Sequence, residues 1–452
     1  MEKKNMKKSI LLGAAALAAI ALAAPQAADA GEVKLGGYYM FRMVSTDNTT
    51  TDTSGDENKN FWAQRLQLNV DMKASEKSHA HMVTRVWDGN IVNGSDVNMN
   101  TGDWHVRQLW LETEAWGVGV KVGNMPIALN DGLLVDNDVT SFGSILLAKN
   151  FGGVTLVAAD VKVAEGVTNA GGNANATTLN ENDKDADLFV LSALGKIDAV
   201  DYQLTGAYLT TQPNSGATFN GIAIKDMTDG WIALTLAGKV QSVDLTGTII
   251  YETGADLAGG PNTTQAEKSG VFLGGRAKGP TGFGGWNGYA FWGSKDFTSP
   301  LLANNEAKWS PAWDSSGPGS QDLMQRALTL GTSNTGKTGG GNDVGAASTG
   351  DFGNETNMYG LGAGLTINAS AWTIKPSLDY AHVTEDVDTA RGINANYVSA
   401  WGGTLGFSTK IQEATSLDLS GTWVKPKLAS APTAGLTADA MHYVQASVRM
   451  DF

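Results

Sequence analysis

The sequence predicts an all-β fold, a transmembrane antiparallel β-barrel of about 18 strands with about 16 as the alternative count. Three observations carry that expectation. Residues 61–72 alternate strictly, with Leu66, Leu68, Val70 and Met72 on one face and Arg65, Gln67, Asn69 and Asp71 on the other, which is the period of two that a strand imposes on its side chains. The connections between such segments alternate between short and long, the signature of a barrel with short turns on one rim and long loops on the other. The last segment keeps its period to the chain end, with Val444, Ala446, Val448, Met450 and Phe452 against Gln445, Ser447, Arg449 and Asp451, where a soluble domain usually frays into polar residues.

The elements follow in order. Lys3, Lys4, Lys7 and Lys8 precede an apolar run over 10–24, and Ala28-Asp29-Ala30 forms an A-x-A site. Residues 1–30 therefore read as a cleaved secretory signal peptide, with the barrel domain over 31–452. A membrane anchor is the alternative, but about 15 apolar residues fall short of the ~20 a spanning helix needs. Strands are expected over 32–44, 61–72, 79–88, 104–115, 118–125, 142–149, 154–164, 186–195, 201–210, 230–238, 243–252, 269–278, 286–294, 358–367, 372–384, 397–409, 415–426 and 440–452. Short turns fall at 73–78, 116–117, 150–153, 196–200, 238–242, 368–370 and 410–414. Long connections rich in Asn, Asp, Gly and Thr fall at 45–60, 89–103, 165–185, 211–229, 253–268, 295–357 and 427–439. An even strand number returns both termini to the short-turn rim. A barrel of either size encloses water rather than a packed core. A two-sheet sandwich would show the same alternation in any one strand; the loop asymmetry separates the two.

Composition excludes several function classes. The chain holds 32 Lys+Arg against 46 Asp+Glu. Residues 1–30 contain four of the lysines, Glu2 and Asp29, so the remainder carries 28 against 44, net −16. No nucleic acid partner is expected of so acidic a chain. Zero cysteines argue against a disulfide framework and thiolate chemistry. Mean hydropathy of −0.15, with no long apolar run in 31–452, argues against spanning helices; a barrel needs none, because only alternate residues face lipid.

Chemistry-bearing motifs are few. H-E-x-x-H, G-x-S-x-G and the P-loop are all missing, so no enzyme and no cofactor are expected. Gly360-x-Gly362-x-Gly364 lies within a strand, where glycine marks a bend or a close approach. His79 and His81 share a strand face without further ligands, and Asp136-x-Asp138 and Asp183-x-Asp185-x-Asp187 lack the Gly and distal Glu of a calcium loop, so no metal is expected. Aromatic residues gather near strand ends: Tyr39, Phe41, Trp62, Trp87, Trp104, Trp116, Tyr202, Tyr208, Trp231, Tyr251, Trp286, Trp292, Tyr359, Trp372, Tyr380, Trp401 and Trp423. They read as two interfacial girdles. A lumen ladder for sugar rings is the rival reading, with Trp110 and Phe272 its better candidates.

The terminal strand ending in Phe452 resembles that of bacterial outer-membrane β-barrels, and the architecture as a whole resembles the general-diffusion porins. In that family the loop after the fifth strand folds into the barrel. Here the third long connection, 126–141, stands at that position; it is unusually apolar and carries Asp131, Asp136 and Asp138, though it lacks the family's usual Pro-Glu-Phe-Gly-Gly stretch. The alternative is an ordinary outward loop. Strand parity turns Arg42, Arg65, Arg85, Lys121, Arg276 and Lys375 to the lumen, since each would cost ~2–4 kcal/mol facing lipid near the midplane. The resemblance implies that the three aspartates form a pore constriction facing the basic wall of Arg42, Arg65 and Arg85, with a transverse field between them. The other reading has these charges pairing locally. It further implies the cell outer membrane as location and Phe452 as an insertion signal read by the outer-membrane assembly machinery. Outer membrane lipids and lipopolysaccharide, small hydrophilic solutes and ions, and a homotrimer complete the implied partners. A substrate-specific channel for oligosaccharides or acidic polymers is the alternative function, and an outer-membrane barrel enzyme a more distant one. In the long 295–357 connection, Leu323, Met324, Ala327 and Leu328 at helical spacing predict a short helix over the mouth, or a lid or receptor for an external partner.

Overall fold

The computed structural model describes residues 31–47, 59–91, 105–136, 142–164, 186–211, 218–219, 222–223, 227–253, 256–257, 269–294, 297, 358–383, 397–428 and 439–452. The expected signal peptide, Asp138, Asp183, Asp185, Trp104 and the helix expected within 295–357 lie outside these residues, as does all of that connection except Phe297.

Alternation produces eighteen long strands. They are β1 (Glu32–Asp47), β2 (Lys59–Ser75), β3 (Ser78–Ile91), β4 (His105–Ala115), β5 (Val118–Met125) and β6 (Phe142–Asn150). Next come β7 (Val154–Ala164), β8 (Ala186–Ile197), β9 (Val200–Thr211), β10 (Met227–Val240), β11 (Val243–Glu252) and β12 (Val271–Thr281). Last are β13 (Gly284–Gly293), β14 (Met358–Ala369), β15 (Trp372–Val383), β16 (Tyr397–Gln412), β17 (Thr415–Leu428) and β18 (Met441–Asp451). Each pairs antiparallel with its neighbour in sequence, and β1 pairs with β18, Tyr38 opposite Asp451 through Asp47 opposite His442. The sheet is thus a closed ring with no unpaired edge, the condition for crossing a bilayer with strands. At the seam the Gly37 amide donates to the Phe452 carbonyl at 3.0 Å and the Phe452 amide returns a bond to the Gly37 carbonyl at 3.1 Å.

Turns at 76–77, 116–117, 151–153, 198–199, 241–242, 282–283, 370–371 and 413–414 sit on the rim that holds the chain termini. Trp116 and Gly117 both have positive φ, 53° and 72°, the backbone of a two-residue hairpin turn. In the turn after β2, Glu76 is held below the usual carboxylate range, first by the hydrogen bond from Lys73 and then by its charge. Strands run further than predicted at several ends, for instance to Ser75 in β2 and Gln412 in β16, because the wall continues past the apolar band that the pattern marks.

Register assigns every face. Val444, Val448, Met450 and Phe452 are exposed, whereas Tyr443, Gln445 and Ser447 are buried. Carrying this parity round the ring places Leu35, Leu109, Leu111, Ile145, Leu147, Leu191, Leu204, Ile249, Leu273, Leu361 and Leu405 on the outer face, all exposed to what would be lipid. Of the described side chains expected in the girdles, Trp62, Tyr208, Tyr251, Trp292, Trp372 and Trp401 lie outward and exposed, with Trp116 exposed in its turn. Trp231 is a correction: it faces inward and is 2% exposed, because the inner wall around it is covered by a loop.

Candidate functional site

The inner wall has two unlike halves. Across β1–β3 and β15–β18 it is polar, presenting Arg42, Arg65, Gln67, Asp71, His81, Arg85, Lys375, Ser377, Asp379, Thr404, Asp418, Thr422, Gln445 and Ser447. Across β7–β13 it carries a buried apolar cluster, Val161, Leu188, Val190, Leu209, Trp231, Ala233, Ile250, Phe272 and Phe291, set among the buried polar side chains of Ser192, Thr205, Asp229, Thr235, Thr248 and Glu252. The segment after β5 packs on them, with Phe297 over Phe272. Ile127, Leu129, Leu133 and Leu134 join the same cluster, so residues 126–136 run inside the barrel and lie on that wall.

The tip of this segment is a compact turn. Asn130, Asp131 and Gly132 have φ of 51°, 63° and 77° in succession, a run of left-handed residues that Asn, Asp and Gly tolerate best. The Leu129 carbonyl accepts from the amides of Gly132 at 3.0 Å and Leu134 at 3.3 Å. Ala128 and Val135 flank it in a two-residue ladder, Ala128 opposite Asp136 and Leu129 opposite Val135.

Asn130 is 0% exposed and inserts into the wall. Its amide donates to Gln203 Oε1 on β9 at 3.1 Å, and its Nδ2 donates to the Gln203 carbonyl and to Thr235 Oγ1 on β10, each at 3.2 Å. The network continues from Thr235 to Thr248 on β11 at 2.9 Å, and from Gln203 Nε2 to Ser192 on β8 at 3.3 Å. Beside it Arg276 of β12 donates to Asp131. The segment is therefore fixed to the wall by buried hydrogen bonds, an ion pair and apolar packing together.

Every expected wall cation lies on an inward position. Arg42, Arg65 and Arg85 form a diagonal row, since Met40 opposes Arg65, Arg42 opposes Ala63 and Gln67 opposes Arg85. Lys121 pairs with Glu112 at 3.1 Å and lies 4.9 Å above the Trp110 ring. Arg276 receives Asp131, and Lys375 opposes Gly406. Asp131 thus meets the wall at β12, half the ring away from the row on β1–β3. Asp136 is placed only in its backbone, and Asp138 is outside the described residues. Of the two candidates for an aromatic ladder, Phe272 is buried beneath Phe297 at 5.6 Å, and Trp110 is stacked on His81 at 4.0 Å; both face inward, neither in a run of open rings. His81 in turn pairs with Asp71. Among the described residues no cluster of three metal-ligating side chains exists.

No family model matches the chain, and neither does any curated relative. Solved structures do. Pseudomonas aeruginosa OccK3 (OpdO) is similar at a TM-score of 0.53 with 9% identity, over 93% of this chain and 96% of the other. The P. aeruginosa outer membrane protein OpdK gives 0.52 with 10% identity over 93% and 98%, and Acinetobacter baumannii OccAB3 gives 0.53 with 9% identity over 93% and 99%. The fold is that of a bacterial outer-membrane porin. Its closed ring and apolar outer band place it in the cell outer membrane.

In this barrel the sequence marks the loop but not its anchor. Gln203, Thr235 and Ser192 carry no signal of their own, since buried Gln, Thr and Ser on a wall look the same in sequence as residues wetted by a lumen. The signal that would have found the tip is the Asn130-Asp131-Gly132 run, three turn-formers in the middle of an apolar stretch. The Gly360-x-Gly362-x-Gly364 motif proves to be the close approach expected of strand glycines: a Cβ on Gly362 would collide with Tyr289 and Asp379, and one on Gly360 with Phe291.

Proposed function

We propose that this protein is a passive outer-membrane channel for small hydrophilic solutes and ions, narrowed by the 126–141 loop. The observation that carries the reading is the anchoring of residues 127–134 on one side of the lumen. With that half of the wall covered, and Ser377, Asp379, Thr404, Thr422, Gln445 and Ser447 of β15–β18 buried as well, the water path runs between the loop and the half-exposed side chains of β1–β3. The row of Arg42, Arg65 and Arg85 then stands across the path from Asp131, a geometry that sets a transverse field and orients dipolar solutes without a binding pocket. The mature chain would begin at Gly31, and a homotrimer is the expected assembly.

Single-channel recording of the purified mature protein in planar bilayers tests this. Open, stable conductance steps are expected, and deletion of residues 130–138 is expected to enlarge them. No conductance from folded protein would refute the channel, and an unchanged conductance in the deletion would refute the constriction. A second reading, a substrate-specific channel, is favoured by the arginine row, which suits a carboxylate, and by the crystal structure of OpdK with vanillate, a likeness of fold only. Saturable block of ion current by vanillate would support it, and linear flux would support free diffusion.

A further inference from the structure

Between the loop tip and the short-turn rim, the inner wall of β8–β12 lines a cavity of about 400 Å³ that the channel reading leaves unused. Register places it. The network around Asn130 meets the wall at Thr235 and Thr248, and the cavity begins two residues nearer the turns, at Ala237 on β10 and Thr246 on β11. It reaches Ala199 in the turn after β8. Lys196, Asp201, Lys239, Asp244, Arg276 and Lys278 line it. All six share the inward parity of Thr235 and Thr248. Asp201 stands between Lys196 and Ala237, Thr246 between Ala237 and Arg276, and Asp244 between Lys239 and Lys278.

These charges alternate in sign, and their pairing is loose. Arg276 donates to Asp131 of the loop. Lys196 stands 3.5 Å from Asp201 and Lys239 stands 3.8 Å from Asp244, and all four side chains are half exposed or nearly so. On the same rim Lys73 reaches Glu76 at 2.6 Å and Lys77 reaches Glu114 at 2.7 Å, the length of a charge-assisted hydrogen bond. Among the described residues neither Asp201 nor Asp244 accepts a side-chain hydrogen bond. Lys278 has no ion-pair or hydrogen-bond partner among them, although Asp244 is directly across. The turns that edge the cavity, 198–199, 241–242 and 282–283, are described; Asp198, the carboxylate they hold, is exposed and does not line it.

Mixed, loosely paired charges select for one kind of solute. An anion drawn to Lys278 and Arg276 also meets Asp201 and Asp244. A cation drawn to the aspartates meets the lysines and Arg276. A solute carrying both signs finds a partner for each. Neighbouring strands stand about 4.8 Å apart, so Asp244 and Lys278 present opposite charges at a spacing that the two ends of an amino acid or short peptide can span. Exposed charges bind weakly, which suits a path that must release what it holds.

We propose that this cavity is a subsite for small zwitterionic solutes, amino acids or short peptides with free ends. Lys278 takes the carboxylate and Asp244 the ammonium, with Arg276 and Asp201 as a second pair of opposite charges. The proposal rests on the channel reading for access to the cavity.

Saturation-transfer NMR of the full barrel over 31–452 in detergent tests it, because it reads binding without conduction. Three probes share one backbone: glycylglycine carries both charged ends, N-acetylglycine the carboxylate alone and glycine methylamide the ammonium alone. At neutral pH the parent is expected to bind glycylglycine about tenfold more tightly than either single-charge probe, the effect of one charge-assisted contact. Lys278→Gln should bind glycylglycine as weakly as the parent binds the methylamide, and Asp244→Asn as weakly as the parent binds N-acetylglycine. Lys149→Gln, on the outer face of the same rim, should bind as the parent does. Equal binding of glycylglycine and either single-charge probe by the parent overturns the proposal, and that comparison needs no variant to fold. Undiminished glycylglycine binding by Lys278→Gln or by Asp244→Asn overturns it as well. A barrel that conducts but never saturates with glycylglycine refutes the subsite alone, whereas one that binds glycylglycine and passes no current refutes the channel and leaves the subsite standing.

Discussion

Tyr289 and Asp379 bond across an intervening strand, and only glycine between them makes that geometry available. The Tyr289 hydroxyl donates to Asp379 Oδ1 at 2.8 Å, both residues are buried, and Gly362 of β14 opposes each of them. Removing the donor leaves a buried carboxylate oxygen short of a partner, which costs about 1–3 kcal/mol. Tyr289→Phe should therefore lower the unfolding free energy by about that amount, read from the urea midpoint of heat-modifiable barrel on a gel. Gly362→Ala should lower it as well, because its Cβ meets both partners, and the double variant should lose less than the sum, since both changes break one interaction. In sequence the glycines were legible as a close approach, whereas what approached was not. Tyr289 lies on another strand at a distance in sequence that no local pattern carries.

At the scale of elements, the decisive ones are the loop over 126–136 and the strands it covers. β8 and β10 read as nearly continuous apolar runs, Leu188 to Leu191 and Trp231 to Leu234. Burial on two faces does this, lipid on one and the loop on the other, and it is why the sequence pattern alone gives Trp231 the look of a girdle residue. Parity alone would have turned it inward, since Ile232 and Leu236 hold the lipid register. Asn130→Ala should release the tip by removing two side-chain bonds from a buried network while leaving the apolar packing. Mean conductance should then change little, and open-state current noise should rise, as a tethered loop samples more positions. Quiet openings identical to the parent would mean that packing by Leu129, Leu133 and Leu134 holds the tip unaided. The terminal strand supports a second test. Removing Phe452 deletes both hydrogen bonds to Gly37 at the closing seam, so the heat-modifiable folded fraction should fall while secreted precursor or periplasmic material rises.

The whole molecule is a ring with an uneven interior, and that unevenness governs what passes. Strand period, even strand number and loop asymmetry were legible because each repeats around the ring and is enforced by lipid on every strand. The division of the lumen was not, because it arises once, where one segment folds inward, and nothing in the covered strands names what covers them. The inward side chains of β1–β3, among them Arg42, Arg65, Asp71 and Arg85, keep part of their surface open, so their fixed charges should dominate ion selectivity. Arg42, Arg65 and Arg85 lie together on that wall. Changing all three to glutamate replaces three positive charges by three negative ones, and the reversal potential in a salt gradient should move strongly toward cation preference. Screening sets the size of the effect: the Debye length is about 30 Å at 0.01 M salt and about 3 Å at 1 M, so the shift should be largest in dilute salt and shrink as salt is raised. The same change at Lys425 and Lys427, outside the ring, should leave the reversal potential in place. A shift of equal size from that outer pair would mean that the arginines do not line the conducting path, and the path would then have to run along the loop-covered half near Arg276.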